Sequence, residues 1–201
     1  MLLAAVLAVL SLLSAAGASR CPPASQERGT YTSVVEDKCL QFVFSEKTWV
    51  NAKQFCYDRG AALASAETRS KYNTIVGLLK GKFDVSGKFG GRQGFWLGLH
   101  DRIWEGRFLW DEGRGNADSK MSWSNWNPGE PNDWTGQDCV YMRRSYGFKW
   151  VDVGCGDGFH VNRFYSFACE HGKYIYCMYI PCGHGKYIYC MYIPCGHGKY
   201  T

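Results

Sequence analysis

The chain carries ten cysteines in 201 residues, yet no Cys-x-x-Cys pair. Thiolate zinc sites depend on such close pairs, so the cysteines read as disulfide partners rather than metal ligands. No Asn-x-Ser/Thr sequon occurs, so no N-linked glycan is expected. Blocks of like charge are also missing. The net charge is +5, and Arg59, Arg69, Lys80, Lys82, Arg143 and Arg144 are scattered. Nucleic-acid binding needs a concentrated basic face, so no nucleic-acid partner is expected. His100 beside Asp101 and His160 near Asp157 are the available acid–base pairs, but no G-x-S-x-G nucleophile motif accompanies them. The chain reads as a non-enzyme.

Long apolar runs are equally scarce. The one present, "MLLAAVLAVLSLLSAAGA", fills residues 1–18 and ends in Ala16-Gly17-Ala18, a small-x-small cleavage pattern before Ser19. It falls short of the roughly 20 apolar residues a bilayer span needs. Residues 1–18 are therefore expected to be a signal peptide, and the protein to be secreted and extracellular, without membrane insertion. An even cysteine count suits that oxidising route.

What is present has an α+β order. The stretch around "LQFVF" alternates as a strand does. In "TWVNAKQFCYDRGAA", Trp49, Ala52, Phe55 and Cys56 recur at helical spacing, and Gly60 sits where a helix ends. A second helix is expected from about Ser65, as N-cap, to about Leu79, burying Tyr72, Ile75, Val76 and Leu79. Short strands follow in "FWLGLHD", "GRFLWDEG", "CVYMRR", "FKWVDVGC" and "FYSFACE". Between them, Gly113 to Gly136 is a long loop of Gly, Asn, Asp, Ser, Trp and Pro, of the kind that is usually functional or disordered.

After Glu170 the composition changes. "HGKYIYCMYIPCG" runs over 171–183, repeats letter for letter over 184–196, and begins a third time. Residues 171–201 read either as a Cys/Tyr-rich tail that self-associates through disulfides, or as a recent tandem duplication with no selected role. His171 and His184 stand near cysteines that disulfides would consume before metal could use them. Two units are too few for a stable repeat fold, so little order is expected.

"TWVNAKQFCYDRGAALAS", "FWLGLHD", "EGRFLWDEG", "SWSNWNPGEPND", "DCVYM", "KWVDVGC" and "FYSFACE" occur in that order. Together they resemble a C-type lectin-like domain over residues 21–170. The resemblance implies a disulfide-stapled α+β fold with two helices, small antiparallel sheets and a long calcium-binding loop. It pairs Cys56 with Cys169 and Cys139 with Cys155, and adds Cys21 with Cys39 as in the family's long form. Trp96, Leu97 and Leu99 become core residues, as do Trp123, Trp126 and Trp150.

The resemblance also gives the acidic, amide-rich "GEPNDWTGQDC" a role. Lectins of this family hold Ca²⁺ in the long loop and bind sugar through it, and Ca²⁺ takes about six to eight hard oxygen ligands. Glu130, Asn132 and Asp152 match the family's ligands to the sugar-binding calcium, with Pro131 cis between the first two. Gln137 stands where the family usually has Glu, keeping a carbonyl but no charge. Val151 stands where it usually has Asn and offers no side-chain oxygen. Asp101, Glu105, Asp133 and Asp138, with Gln137 shared, match a neighbouring calcium position. The Glu-Pro-Asn form implies mannose-type rather than galactose-type sugars, weakened here by Gln137 and Val151. Trp134 can stack on a sugar ring or tuck into the loop. The expectation is a secreted lectin that recognises glycans, with microbial surfaces in innate immunity as the family's habitual setting. A domain of the same fold that binds protein or mineral surfaces without sugar is the alternative.

Overall fold

The structure is a computed structural model that describes residues 29–84, 93–132, 136–156 and 163–172, and the backbone alone of 177–182 and 185–190. The expected signal peptide, Cys21, Asp133, Trp134, Asp157 and His160 lie outside the described residues. Among the described residues, no helix is long and apolar enough to cross a membrane.

The chain enters as a hairpin of β1 (Thr30–Val35) and β2 (Lys38–Lys47), in the register Thr30↔Val43 to Val35↔Lys38. Helix α1 (Trp49–Tyr57) follows at once, because the Thr48 side chain accepts the Asn51 N–H at 3.3 Å and starts the turn. It buries the expected Trp49, Ala52, Phe55 and Cys56. The chain then turns through Gly60, whose φ of +66° is a left-handed conformation that favours glycine. After β3 (Ala62–Leu63) comes α2 (Arg69–Leu78), continued by a wider turn over Leu79–Phe83. It buries Tyr72, Ile75 and Val76 as the spacing predicts. Its N-cap is Thr68, which takes the Lys71 N–H at 3.0 Å, and Ser65 is engaged elsewhere.

The remaining strands are β4 (Gly94–His100), β5 (Leu109–Trp110), β6 (Ser119–Lys120), β7 (Cys139–Arg143), β8 (Lys149–Val153) and β9 (Tyr165–His171). They order as β1-β2-β9-β4-β5-β6, with β3 on β9, and β7 between β4 and β8. Period-two alternation sends Leu40, Phe42, Phe95, Leu97 and Trp150 into the cluster packed on α2. Val43, Trp96, Tyr141, Val151 and Phe167 go into the one packed on α1. Two disulfides bind these layers as the resemblance implies: Cys56–Cys169 ties α1 to β9, and Cys139–Cys155 ties β7 to the chain after β8. Cys39 is disulfide-bonded as well. In the tail, where little order is expected, β10 (Cys177–Cys182) and β11 (Gly185–Cys190) pair as an antiparallel hairpin.

A buried charge network locks α2 to β9. Lys71 is fully buried, and its Nζ lies 2.6 Å from Glu170 Oε2, 2.7 Å from Ser65 Oγ and 2.9 Å from Glu67 Oε2. Lys38 holds the other Glu170 oxygen at 3.0 Å. Burial alone would raise the Glu170 pKa, but Lys71 and Lys38 outweigh it and hold the carboxyl below its ordinary 4.5. Glu170→Gln leaves the Lys71 charge with only half-exposed Glu67. The expected cost is about 3–5 kcal/mol in chemical denaturation. A carboxylate depressed in the folded state stabilises it above the unfolded pKa, so Glu170's contribution is lost as pH falls below 4.5. The variant's melting temperature should therefore drop less than the parent's on acidification through that range.

Candidate functional site

Beyond β6, the long loop is tied to the sheet again at Trp150. Trp150 of β8 donates its N–H to Asn125 O and accepts Asn127 N–H, both at 2.9 Å, forming a parallel bridge between Trp126 and Trp150. The Trp150 ring is buried, and Trp123, Trp126, Trp110 and Tyr72 pack edge-on around it at 5.1–6.4 Å. Trp150 is core, as expected. Trp123 and Trp126 are only partly buried, because they cap the cluster from the loop side.

From that anchor the chain reverses. Glu130 N–H donates to Asn127 O at 2.9 Å across Pro128-Gly129. Gly129 has φ +88°, as the third position of a type II turn requires. The Glu130–Pro131 bond is cis, as expected. Four residues past the bridge in the loop, Glu130 meets Asp152, two residues past it in β8. Burial, first, and then the Asp152 carboxylate push the Glu130 pKa up to about 7. Asp152 itself is 2% exposed. Among the described residues, Glu130 Oε2 and Gln137 Oε1 are buried acceptors with no hydrogen-bond partner. Asn132 is exposed, with its backbone bonded to the Glu130 side chain.

The structure therefore brings Glu130 and Asp152 together, with Asn132 two residues on and Gln137 leading into β7. Buried oxygen acceptors without donors, around two facing carboxylates, are costly by themselves and fit a hard cation such as Ca²⁺. Val151 is 5% exposed and packs in the cluster beneath α1, on the opposite face of β8 from Asp152.

Asp101, Glu105 and Asp138, expected at a second calcium position, stand just after β4 and just before β7. Asp101 N–H donates to Asp138 O at 3.2 Å, which sets the end of β4 beside the approach to β7. Asp101 Oδ2 accepts Gly106 N–H at 2.9 Å and closes the turn that carries exposed Glu105. Among the described residues, no three His, Cys, Asp or Glu side chains group closely enough to hold a metal. His100 is buried, with its ring edge-on to Trp49 at 5.2 Å and Nε2 at 3.2 Å from Asp118. Burial lowers its pKa, and a proton-transfer role has no solvent access.

Sequence reasoning missed two polar arrangements. One is the Lys71–Glu170 network. The other surrounds Asp111, which accepts from the Tyr57 hydroxyl and from Leu63 N–H at 3.2 Å and pairs with Lys53 at 3.0 Å. Neither has a local sequence signal, since each joins segments far apart in the chain.

Residues 45–161 match the family described as "Lectin C-type domain". The low affinity immunoglobulin epsilon Fc receptor of Mus musculus is 33% identical over 121 residues, which is 60% of this chain and 31% of the receptor. Lactose-binding lectin l-2 of Anguilla japonica is 32% identical over 122 residues, 60% of this chain and 67% of that lectin. The chain thus spans under a third of the receptor's length. Among solved structures, the cow CD23 carbohydrate-recognition domain, crystallised in the presence of a GlcNAc2Man3 oligosaccharide, is 28% identical. It superposes with a TM-score of 0.55 over 76% of this chain and 96% of that one.

If the two carboxylates repel as described, Glu130→Gln removes a charge from the pair. In chelator the variant should melt above the parent, by about 2–4 °C for each kcal/mol of repulsion relieved. Differential scanning calorimetry checks this, and a lower melting temperature contradicts it.

Proposed function

The chain belongs to the C-type lectin domain family, and from that membership we propose that it is a secreted, calcium-dependent carbohydrate-binding protein with mannose-type preference. The observation that carries the reading is the Glu130-Pro131-Asn132 turn set against Asp152, with a buried Glu130 oxygen that has no partner among the described residues. Glu130, Asn132, Asp152 and the Gln137 carbonyl would hold Ca²⁺, which supplies a Lewis-acidic centre for two vicinal sugar hydroxyls. The remaining donors and acceptors of the same side chains would orient those hydroxyls. Glu before Pro131 and Asn after it is the arrangement the family uses for mannose-type sugars. Trp134 is proposed to stack on the ring. Asp101, Glu105, Asp133 and Asp138 are proposed to hold a second ion that stiffens the loop before ligand arrives. Microbial glycans are the proposed targets, residues 21–170 the recognition domain, residues 1–18 the signal peptide, and 171–201 a self-associating tail.

Family membership and the cow domain's mannose-containing oligosaccharide support this reading. The eel relative is named for lactose. The second reading, the same fold binding protein or mineral surfaces, is favoured by Val151. Its side chain lies in an apolar cluster where the resemblance expects a ligand.

The test is retention of the full chain on mannose-agarose in millimolar calcium. Retention released by EDTA supports the lectin reading; flow-through of folded protein contradicts it. Retention on galactose-agarose in place of mannose-agarose would overturn the sugar class alone. Gln137→Glu restores a charged ligand and should tighten calcium binding by about tenfold or more in a calorimetric titration. An unchanged constant would remove Gln137 from the site.

A further inference from the structure

A concavity of about 430 Å³ lies on α1, against the end of β2 and the residue that precedes β9. It shares no residue with the calcium-binding candidates. Its size is at the small end of ligand pockets, enough for one or two sugar rings. Phe164 lines it and is 51% exposed, an uncommon exposure for a large aromatic. The other aromatic in the wall, Phe55, is already covered. The Arg59 guanidinium lies 3.5 Å from its ring centre and Lys47 Nζ 5.4 Å. Arg59 also donates to Phe55 O at 3.1 Å, which fixes that guanidinium over the ring.

The polar part of the wall is ordered too. Gln54 Nε2 donates to Asp58 Oδ1 at 2.6 Å, one turn along α1. Asn51 stands a further turn back and is exposed, as is Glu46 at the end of β2. The wall thus holds two carboxylates, Glu46 and Asp58, and two cations, Lys47 and Arg59, so its charges balance. A strongly anionic or cationic ligand gains nothing there, and a lipid chain finds only one open aromatic ring. A neutral polyhydroxylated ring fits both halves. Its C–H face packs on Phe164, and its hydroxyls, each donor and acceptor, meet carboxylates, amides and cationic N–H groups.

We propose that this concavity is a second saccharide site, independent of calcium, that takes a neutral pyranose on Phe164. It does not rest on the calcium-dependent reading. Two sites of different chemistry on one domain would let a single copy bridge two positions on a glycan surface and gain avidity.

The test is an NMR titration of the ¹⁵N-labelled full chain in EDTA, with the methyl glycosides of mannose, glucose, galactose and N-acetylglucosamine. At least one should shift the Asn51 and Gln54 side-chain amide signals saturably. Phe164→Ala should weaken that binding about tenfold. Because Phe164 is half-exposed, the variant keeps its core, and an otherwise unchanged amide spectrum verifies the fold. No shift with any glycoside, or shifts that Phe164→Ala leaves intact, overturns the proposal. Shifts from N-acetyl-phenylalaninamide in place of the sugars would overturn it in favour of a peptide site. Shifts that need added calcium would belong to Glu130 and Asp152. Mannose-agarose retention in calcium fails or succeeds separately, since it is read only with calcium present.

Discussion

The loop that carries the candidate ligands is long, and it is held to the sheet by a bridge of two backbone hydrogen bonds at Trp150. The indole cluster beneath that bridge, with Trp110, Trp123 and Trp126 around one buried ring, makes the bridge part of the core rather than a surface contact. Everything downstream inherits that register. The turn at Pro128-Gly129 starts two residues past Trp126, and Asp152 lies two residues past Trp150 in the neighbouring strand. The two carboxylates meet because both are counted from the same bridge.

The fold treats buried charge in two opposite ways. At Lys71 and Glu170 every buried charge has a partner within about 3 Å, so the network closes on itself and fastens α2 to β9. At Glu130 and Asp152 carboxyl groups face each other, and a buried Glu130 oxygen has no donor among the described residues. The first pattern is structural and is complete within the protein. The second is the arrangement on which the proposed cation site rests, since a hard cation would offset the repulsion.

Much of this was legible in the sequence where the signal is local or carried by a family pattern. The spacing of Trp49, Ala52, Phe55 and Cys56 located α1. The ordered motifs led to two of the three disulfide pairings now seen, while Cys21 lies outside the described residues. The cis bond at Pro131 followed from the resemblance. What was not legible depends on distant partners. Ser65 looks like an N-cap by type, but Glu170, more than a hundred residues away, engages it, and Thr68 caps α2 instead. Lys71 is buried beside the apolar stripe of its helix, and its pairing with Glu170 of β9 explains that burial. Val151 shows its lost ligand in the sequence, but not that its side chain packs beneath α1.

The central claim is that the Glu130–Asp152 pair is a cation site. The most direct measurement is a calcium titration by isothermal calorimetry of the full chain and of Asp152→Asn, each first stripped with chelator. The account predicts saturable calcium binding by the parent and loss of at least one bound ion, or a clearly weaker constant, in the variant. Equal calcium binding by the two proteins, or none by the parent, would contradict it.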